Sequence, residues 1–200
     1  MTDVRLLLVA YPGAGKGTQA AKLAAHYGIA HLSSGALLRA EVTQGTKIGR
    51  IAADYLERGD LVPDELVIEM LAAPVLEAAG KGGYVLDGFP RTLRQAEETY
   101  RVAQQIEGIE LQAVVHLNVS RDELRHRLLV RAEQEGRTDD TDFAIAHRFK
   151  VFDAETQPLL GFYAGRGLLV EINGEQPVEL VFADIAASVD RLGAVHDPGE

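Results

Sequence analysis

Short apolar runs alternate with longer amphipathic stretches along this chain. Val4 to Ala10 reads Val-Arg-Leu-Leu-Leu-Val-Ala and ends in Tyr-Pro-Gly. A run this short with a Gly-rich exit predicts a buried parallel strand. Lys16 to Tyr27 follows with helical spacing, placing Ala20, Leu23, Ala24 and Tyr27 on one face. Further strands are predicted at His31-Leu32, Tyr84 to Asp87, Ala113 to Asn118 and Leu168 to Ile172, the last ended by Asn173-Gly174. Helix-length stretches lie between them: Asp64 to Ala79, Thr92 to Ile106, Arg121 to Gln134, Thr141 to Tyr163 and Pro177 to Leu192. This alternation predicts an α/β fold, an open five-stranded parallel sheet with helices on both faces and right-handed crossovers. Ligands of such sheets sit beyond the carboxyl ends of the strands. Chemistry is therefore expected just after Ala10, Leu32, Leu86 and Asn118.

Composition narrows the classes. A length of 200 residues suits one domain, expected over 1–192, with 193–200 a disordered tail. Cysteine is absent, which excludes disulfides and cysteine-ligated zinc. The net charge of -10 disfavours nucleic-acid and acidic-membrane binding. Yet 15 of the 20 basic residues are Arg, the better residue for bidentate phosphate contact. No segment has the apolar length of a membrane span, and Met1-Thr-Asp-Val-Arg-Leu lacks the order of a signal peptide, so a cytoplasmic location is expected.

The phosphate chemistry begins after the first strand. Tyr11-Pro-Gly-Ala-Gly-Lys16-Gly-Thr18 opens a helix, and the backbone N–H groups of such a turn wrap a phosphate. Gly13, Ala14, Gly15 and Gly17 form the turn, Lys16 would put its ammonium on the transferring phosphates, and Thr18 offers a hydroxyl. The strict phosphate-loop pattern is missed twice: Ala10 stands at the first Gly, and Gly17 separates Lys16 from Thr18.

After the second strand, Ser33 or Ser34 can cap a helix starting near Gly35, and Arg39 lies one turn on, able to reach an anion. After the third comes Asp87-Gly-Phe-Pro-Arg-Thr-Leu-Arg-Gln95. A carboxylate ending an apolar strand is costly unless paired or metal-linked, so Asp87 is a candidate for holding Mg²⁺ through water. Gly88 permits a close turn, Pro90 stiffens the exit, Arg91 can point at phosphate, and Gln95 offers a donor and an acceptor to an adenine edge. Arg127 and Arg131 share a helix face, with Arg137 and Arg148 beyond them. By themselves these read equally as a solvated helix screened by Glu123, Glu133 and Glu135.

Pro-Gly-Ala-Gly-Lys-Gly-Thr-Gln, Asp-Gly-Phe-Pro-Arg-Thr with Gln95, and Arg127-Leu-Leu-Val-Arg131…Gly136-Arg137-Thr-Asp-Asp140…Arg148 together resemble the adenylate kinase family in its short-lid form. The resemblance runs from Leu6 to about Ile185 and implies a phosphate-loop NTPase-type fold. It implies phosphoryl transfer from Mg·ATP to AMP, with Mg²⁺ but no zinc, by a monomer. It implies that Arg39 binds the acceptor's α-phosphate and Ser34 its nucleotide. Asp60, Leu61 and Val62 would meet the acceptor base, and Gly88, Phe89, Pro90, Arg91 and Gln95 complete that side. Arg131, Gly174 and Gln176 would contact ATP, while Arg127, Arg137 and Arg148 reach transferring or acceptor phosphates. Asp139 and Asp140 would order a lid at about 130–140, closing with an acceptor-binding segment at about 33–62. Lys16, Arg91, Arg127, Arg137, Arg148 and Mg²⁺ would neutralise the transition state, without a general base.

Two alternatives belong beside this reading: a UMP/CMP-type kinase, opposed by Thr92 and Gln95, and a weakly active nucleotide-binding paralogue. Two departures from the family pattern touch the site. Ala10 replaces a Gly, costing about 1–2 kcal/mol if that position needs positive φ. Ala36 replaces an Asp that helps organise water around Mg²⁺, which predicts weaker Mg²⁺ use or slower turnover.

Overall fold

A computed structural model describes residues 3–106, 108–135 and 141–196. The chain runs β1 (Val4–Val9), α1 (Lys16–Tyr27), β2 (Ala30–Ser33), α2 (Ser34–Gln44), α3 (Lys47–Arg58), α4 (Asp64–Ala79), β3 (Gly83–Asp87) and α5 (Leu93–Ala103). It continues through β4 (Ala113–Asn118), α6 (Arg121–Glu135), α7 (Asp142–Val151), a π-helical turn (Phe152–Thr156), α8 (Pro158–Ala164), β5 (Leu169–Asn173) and α9 (Val178–His196). The strands form one five-stranded sheet in the order β2-β3-β1-β4-β5, with all pairs parallel. This is the open α/β sheet expected from the alternation of segments.

Alternate residues of β1 serve two cores. Leu6 and Leu8 pack with Leu23 of α1 and Ile185 of α9 on one face. Leu7 and Val9 pack with Leu71 of α4 and Leu159 of α8 on the other. A strand buried on both faces has no polar side, which is why it reads as a continuous apolar run.

The chain order turns back at β1, whose neighbours β3 and β4 lie on opposite sides. The crevice of such a sheet opens there. Register brings the site residues together: Leu8 pairs with Asp87, and Ser33 pairs with Asp87 from the other side.

Three boundaries differ from expectation. The stretch Thr141 to Tyr163 is not one helix but α7, the π-helical turn and α8. Pro158 explains the break, since it lacks an N–H and starts α8 at its first turn. Helix α3 was not foreseen; Thr46 caps it by accepting from the Gly49 N–H at 3.0 Å. Helix α9 runs to His196, so 193–196 are helical rather than tail, and 197–200 lie outside the described residues.

Candidate active site

The turn between β1 and α1 is built on two left-handed glycines, Gly13 (φ 87°) and Gly15 (φ 92°). A Cβ on Gly13 would lie 2.8 Å from the Leu128 side chain and 2.9 Å from the Leu124 carbonyl, so α6 presses directly on the loop. The Ala14 N–H donates to the Tyr11 carbonyl at 3.2 Å. Lys16 folds back over the turn and donates to the carbonyls of Ala10 (2.7 Å) and Tyr11 (3.1 Å). Desolvation lowers its ammonium pKa to about 8; Asp87 opposes the shift, and Arg91 and Arg131 add to it.

Beyond β3, Gly88 (φ 82°) turns the chain. Its carbonyl accepts from the Ser34 hydroxyl at 2.7 Å and from Arg91 Nε at 2.8 Å. Ser33, not Ser34, caps α2, accepting from the Ala36 N–H at 3.3 Å. The Ser33 hydroxyl also lies 3.5 Å from Asp87 Oδ2. Gln95 is buried and engaged: its Oε1 accepts from the Arg91 N–H at 2.6 Å and its Nε2 donates to Asp64 at 2.5 Å. With Thr92 it forms a reciprocal capping box on α5.

These segments enclose one cleft of about 860 Å³, within the range of small-molecule sites. Gly13 to Thr18, Arg39, Asp60, Leu61, Asp87, Gly88, Pro90, Arg91, Arg127, Arg131, Arg148, Gly174 and Gln176 all line it. Ser34, Val62, Phe89 and Gln95 stand behind one end, around a small adjoining pocket. Among the described residues, Lys16 and five arginines face the cleft against Asp60 and Asp87. A chain of net charge -10 thus holds a locally cationic cavity, which suits a polyphosphate. Arg137, Asp139 and Asp140 lie outside the described residues.

The family model for adenylate kinase matches residues 8–168. The adenylate kinase of Kocuria rhizophila is 41% identical over 187 residues, covering 94% of this chain and 99% of the relative. That of Phocaeicola vulgatus is 37% identical over 189 residues, covering 94% and 100%. That of Leptospira biflexa is 42% identical over 185 residues, covering 92% and 99%. The chain belongs to the adenylate kinase family. It is therefore a phosphotransferase, and the two alternative readings are not favoured.

Within this adenylate kinase family member, several side chains do something sequence reasoning did not assign. Arg127 binds the Gly174 carbonyl at 3.0 Å and Glu123 at 2.6 Å, which turns it toward the β5–α9 loop. The Asp60 carboxylate pairs with Arg58 at 2.9 Å and with His147 at 2.8 Å, and both hold its pKa below the ordinary carboxylate range. Thr156, in the π-helical turn, donates to the Arg91 carbonyl at 2.8 Å. The Glu123–Arg127 pair, four apart on one helix, was readable from spacing. The contacts to Gly174, His147 and Thr156 join positions far apart in the chain.

The family generally uses Mg²⁺ with ATP. Among the described residues no group of three or more His, Cys, Asp or Glu could cage a metal. A single carboxylate, Asp87, beside Ser33 and the phosphate loop fits an ion held largely by water and substrate phosphates, as Mg²⁺ prefers. No described helix is long and apolar enough to cross a membrane.

Proposed function

We propose that this cleft catalyses ATP + AMP to 2 ADP, reversibly and by direct in-line transfer. The observation that carries the proposal is the convergence of Lys16, Arg39, Arg91, Arg127, Arg131 and Arg148 on one cleft that has a phosphate loop at one end. The phosphate-loop N–H groups and Lys16 hold the ATP phosphates, with Thr18 beside them. Arg131 contacts ATP, and Gly174 and Gln176 approach its base. Arg127, tied to Gly174, belongs to this end rather than to the acceptor phosphates.

AMP occupies the opposite end. Arg39 and Arg91 grip its α-phosphate, and Arg148 and Arg137 are assigned to the transferring or acceptor phosphates. Asp60, Leu61, Val62, Gly88, Phe89, Pro90, Ser34 and Gln95 form the wall around its base. Because Gln95 is pinned by Arg91 and Asp64, it presents a fixed amide edge.

In the reaction the bond from the γ-phosphorus to the ADP leaving oxygen breaks, and a bond to an AMP phosphate oxygen forms. That oxygen is already ionised, so no general base is needed. Asp87 would hold Mg²⁺ through water, and the ion would supply charge neutralisation to the ATP phosphates. The protein's share is alignment, cationic stabilisation and exclusion of water. We assign exclusion of water to closure of the lid (about 130–140, with Asp139 and Asp140) and of the acceptor segment (about 33–62). The enzyme acts as a cytoplasmic monomer with no nucleic-acid or membrane partner.

The test is ADP formation from ATP with AMP, CMP, UMP or GMP, with and without Mg²⁺. Fast Mg²⁺-dependent turnover with AMP alone supports the reading. Preference for UMP or CMP, or no turnover in a folded ATP-binding protein, overturns it.

A further inference from the structure

Tyr11 sits inside the phosphate loop, yet its side chain leaves it. The Tyr11 hydroxyl donates to Asp153 Oδ1, in the π-helical turn, and accepts from Arg121 Nη2 at 3.2 Å. Arg121, the first residue of α6, places Nη2 2.7 Å from both Asp153 oxygens. The Tyr11 ring packs on Phe152 with centroids 3.9 Å apart and meets Phe149 edge-on at 5.7 Å. The Arg121 guanidinium covers the rings of Tyr11 (5.2 Å) and Phe149 (5.7 Å). An exposed ion pair alone contributes little. This pair is held by a shared phenol and two aromatic faces, which fix its geometry.

The cluster joins the segments that carry the phosphate cations. The carbonyl of Tyr11 is a rest point of the Lys16 ammonium. Phe149 and Phe152 follow Arg148 in α7 and the π-helical turn, and Thr156 of that turn holds the Arg91 carbonyl. Helix α6, which Arg121 begins, carries Arg127 and Arg131. Lys16, Arg91 and Arg148 come from three separate segments; β1–β3 pairing joins the first two, and the Tyr11–Asp153 contact adds a side-chain tie from the phosphate loop to the turn that follows Arg148 and holds Arg91. Burial and the Asp153 acceptor raise the Tyr11 pKa, so the phenol remains a donor at neutral pH.

We propose that Tyr11, Arg121 and Asp153 form a positioning set that holds the phosphate loop in register with the Arg91 and Arg148 guanidiniums during phosphoryl transfer. None of the three lines the cleft. The proposal rests on the phosphotransfer reading above. Displacing a catalytic group by 1 Å costs on the order of 100-fold, so slackening by a few tenths of an ångström costs several-fold.

The experiment compares kcat, KM for ATP and AMP, and the thermal unfolding midpoint of the wild type with those of Tyr11→Phe, Asp153→Asn, Arg121→Lys and the Tyr11→Phe/Asp153→Asn double variant. Tyr11→Phe is expected to lower kcat about 3- to 10-fold while KM for AMP stays within about twofold. The double variant should lose little more than either single one, because all three groups act as a unit. A purely structural cluster would lower the midpoint and leave kcat unchanged at a temperature where each variant is folded; that result overturns the proposal. Losses that multiply in the double variant also overturn it. If Asp153→Asn does not fold, the kcat values of Tyr11→Phe and Arg121→Lys decide by the same criterion. A wild type with no transfer at all refutes the phosphotransfer reading instead.

Discussion

Gly88→Ala tests how tightly the acceptor end of the cleft is built. Gly88 has φ 82°, a left-handed conformation that costs an L-residue about 1–2 kcal/mol. A Cβ there would stand 2.6 Å from the Ser34 hydroxyl oxygen and 3.2 Å from Arg91 Nη2. The hydroxyl must therefore leave the Gly88 carbonyl, losing a hydrogen bond worth about 1 kcal/mol. Together these give a loss of about 2–3 kcal/mol. Denaturant unfolding of the wild type, Gly88→Ala, Ser34→Ala and the double variant reads it out. Ser34→Ala alone removes the same hydrogen bond, so the double variant should fall short of additivity by about 1 kcal/mol. Because Arg91 Nε also rests on the Gly88 carbonyl, kcat of Gly88→Ala should drop at least tenfold. Wild-type stability, or full additivity in the double variant, would refute the reasoning.

Further outcomes follow from the same geometry. Arg91→Ala should abolish transfer while leaving circular dichroism and the unfolding midpoint near those of the wild type, since its contacts are to the turn and not the core. The Lys16 pKa of about 8 makes ATP binding pH-dependent: the ammonium is the binding form, it is lost in the free protein above that value, and bound phosphates stabilise it. ATP affinity measured by calorimetry should therefore be flat below about pH 7 and weaken as pH rises past about 8, with proton uptake on binding; affinity that strengthens in that window contradicts the assignment. Ala36→Asp, at the mouth of α2 beside Ser33 and Asp87, should raise the Mg²⁺-dependent rate; unchanged rate and Mg²⁺ dependence would show that Asp87 suffices.

Much of the fold was legible because its signals are local. Strands β1, β3 and β4 are short, mostly apolar runs, and the glycines and Lys16 of the phosphate loop sit at fixed spacing after β1. The segment from Asp87 to Gln95 was legible for the same reason. What escaped depends on contacts across the chain. Thr156 meets Arg91, His147 meets Asp60, and Tyr11 meets Asp153 only because the sheet order brings those loops to one edge. Gln95 looked like an adenine reader, yet its amide also closes a capping box and holds Asp64, a double duty that spacing alone does not rank. The single helix expected over 141–163 overlooked Pro158, a breaker that the sequence displays.

The most direct test is a single-turnover experiment with ATP labelled in its γ-phosphate, mixed with excess AMP and Mg²⁺. Direct transfer in the closed cleft predicts that the label appears in the β-phosphate of ADP, with little or none in inorganic phosphate. Label that collects mainly in inorganic phosphate, or remains in ATP while the folded protein binds both nucleotides, would contradict the account.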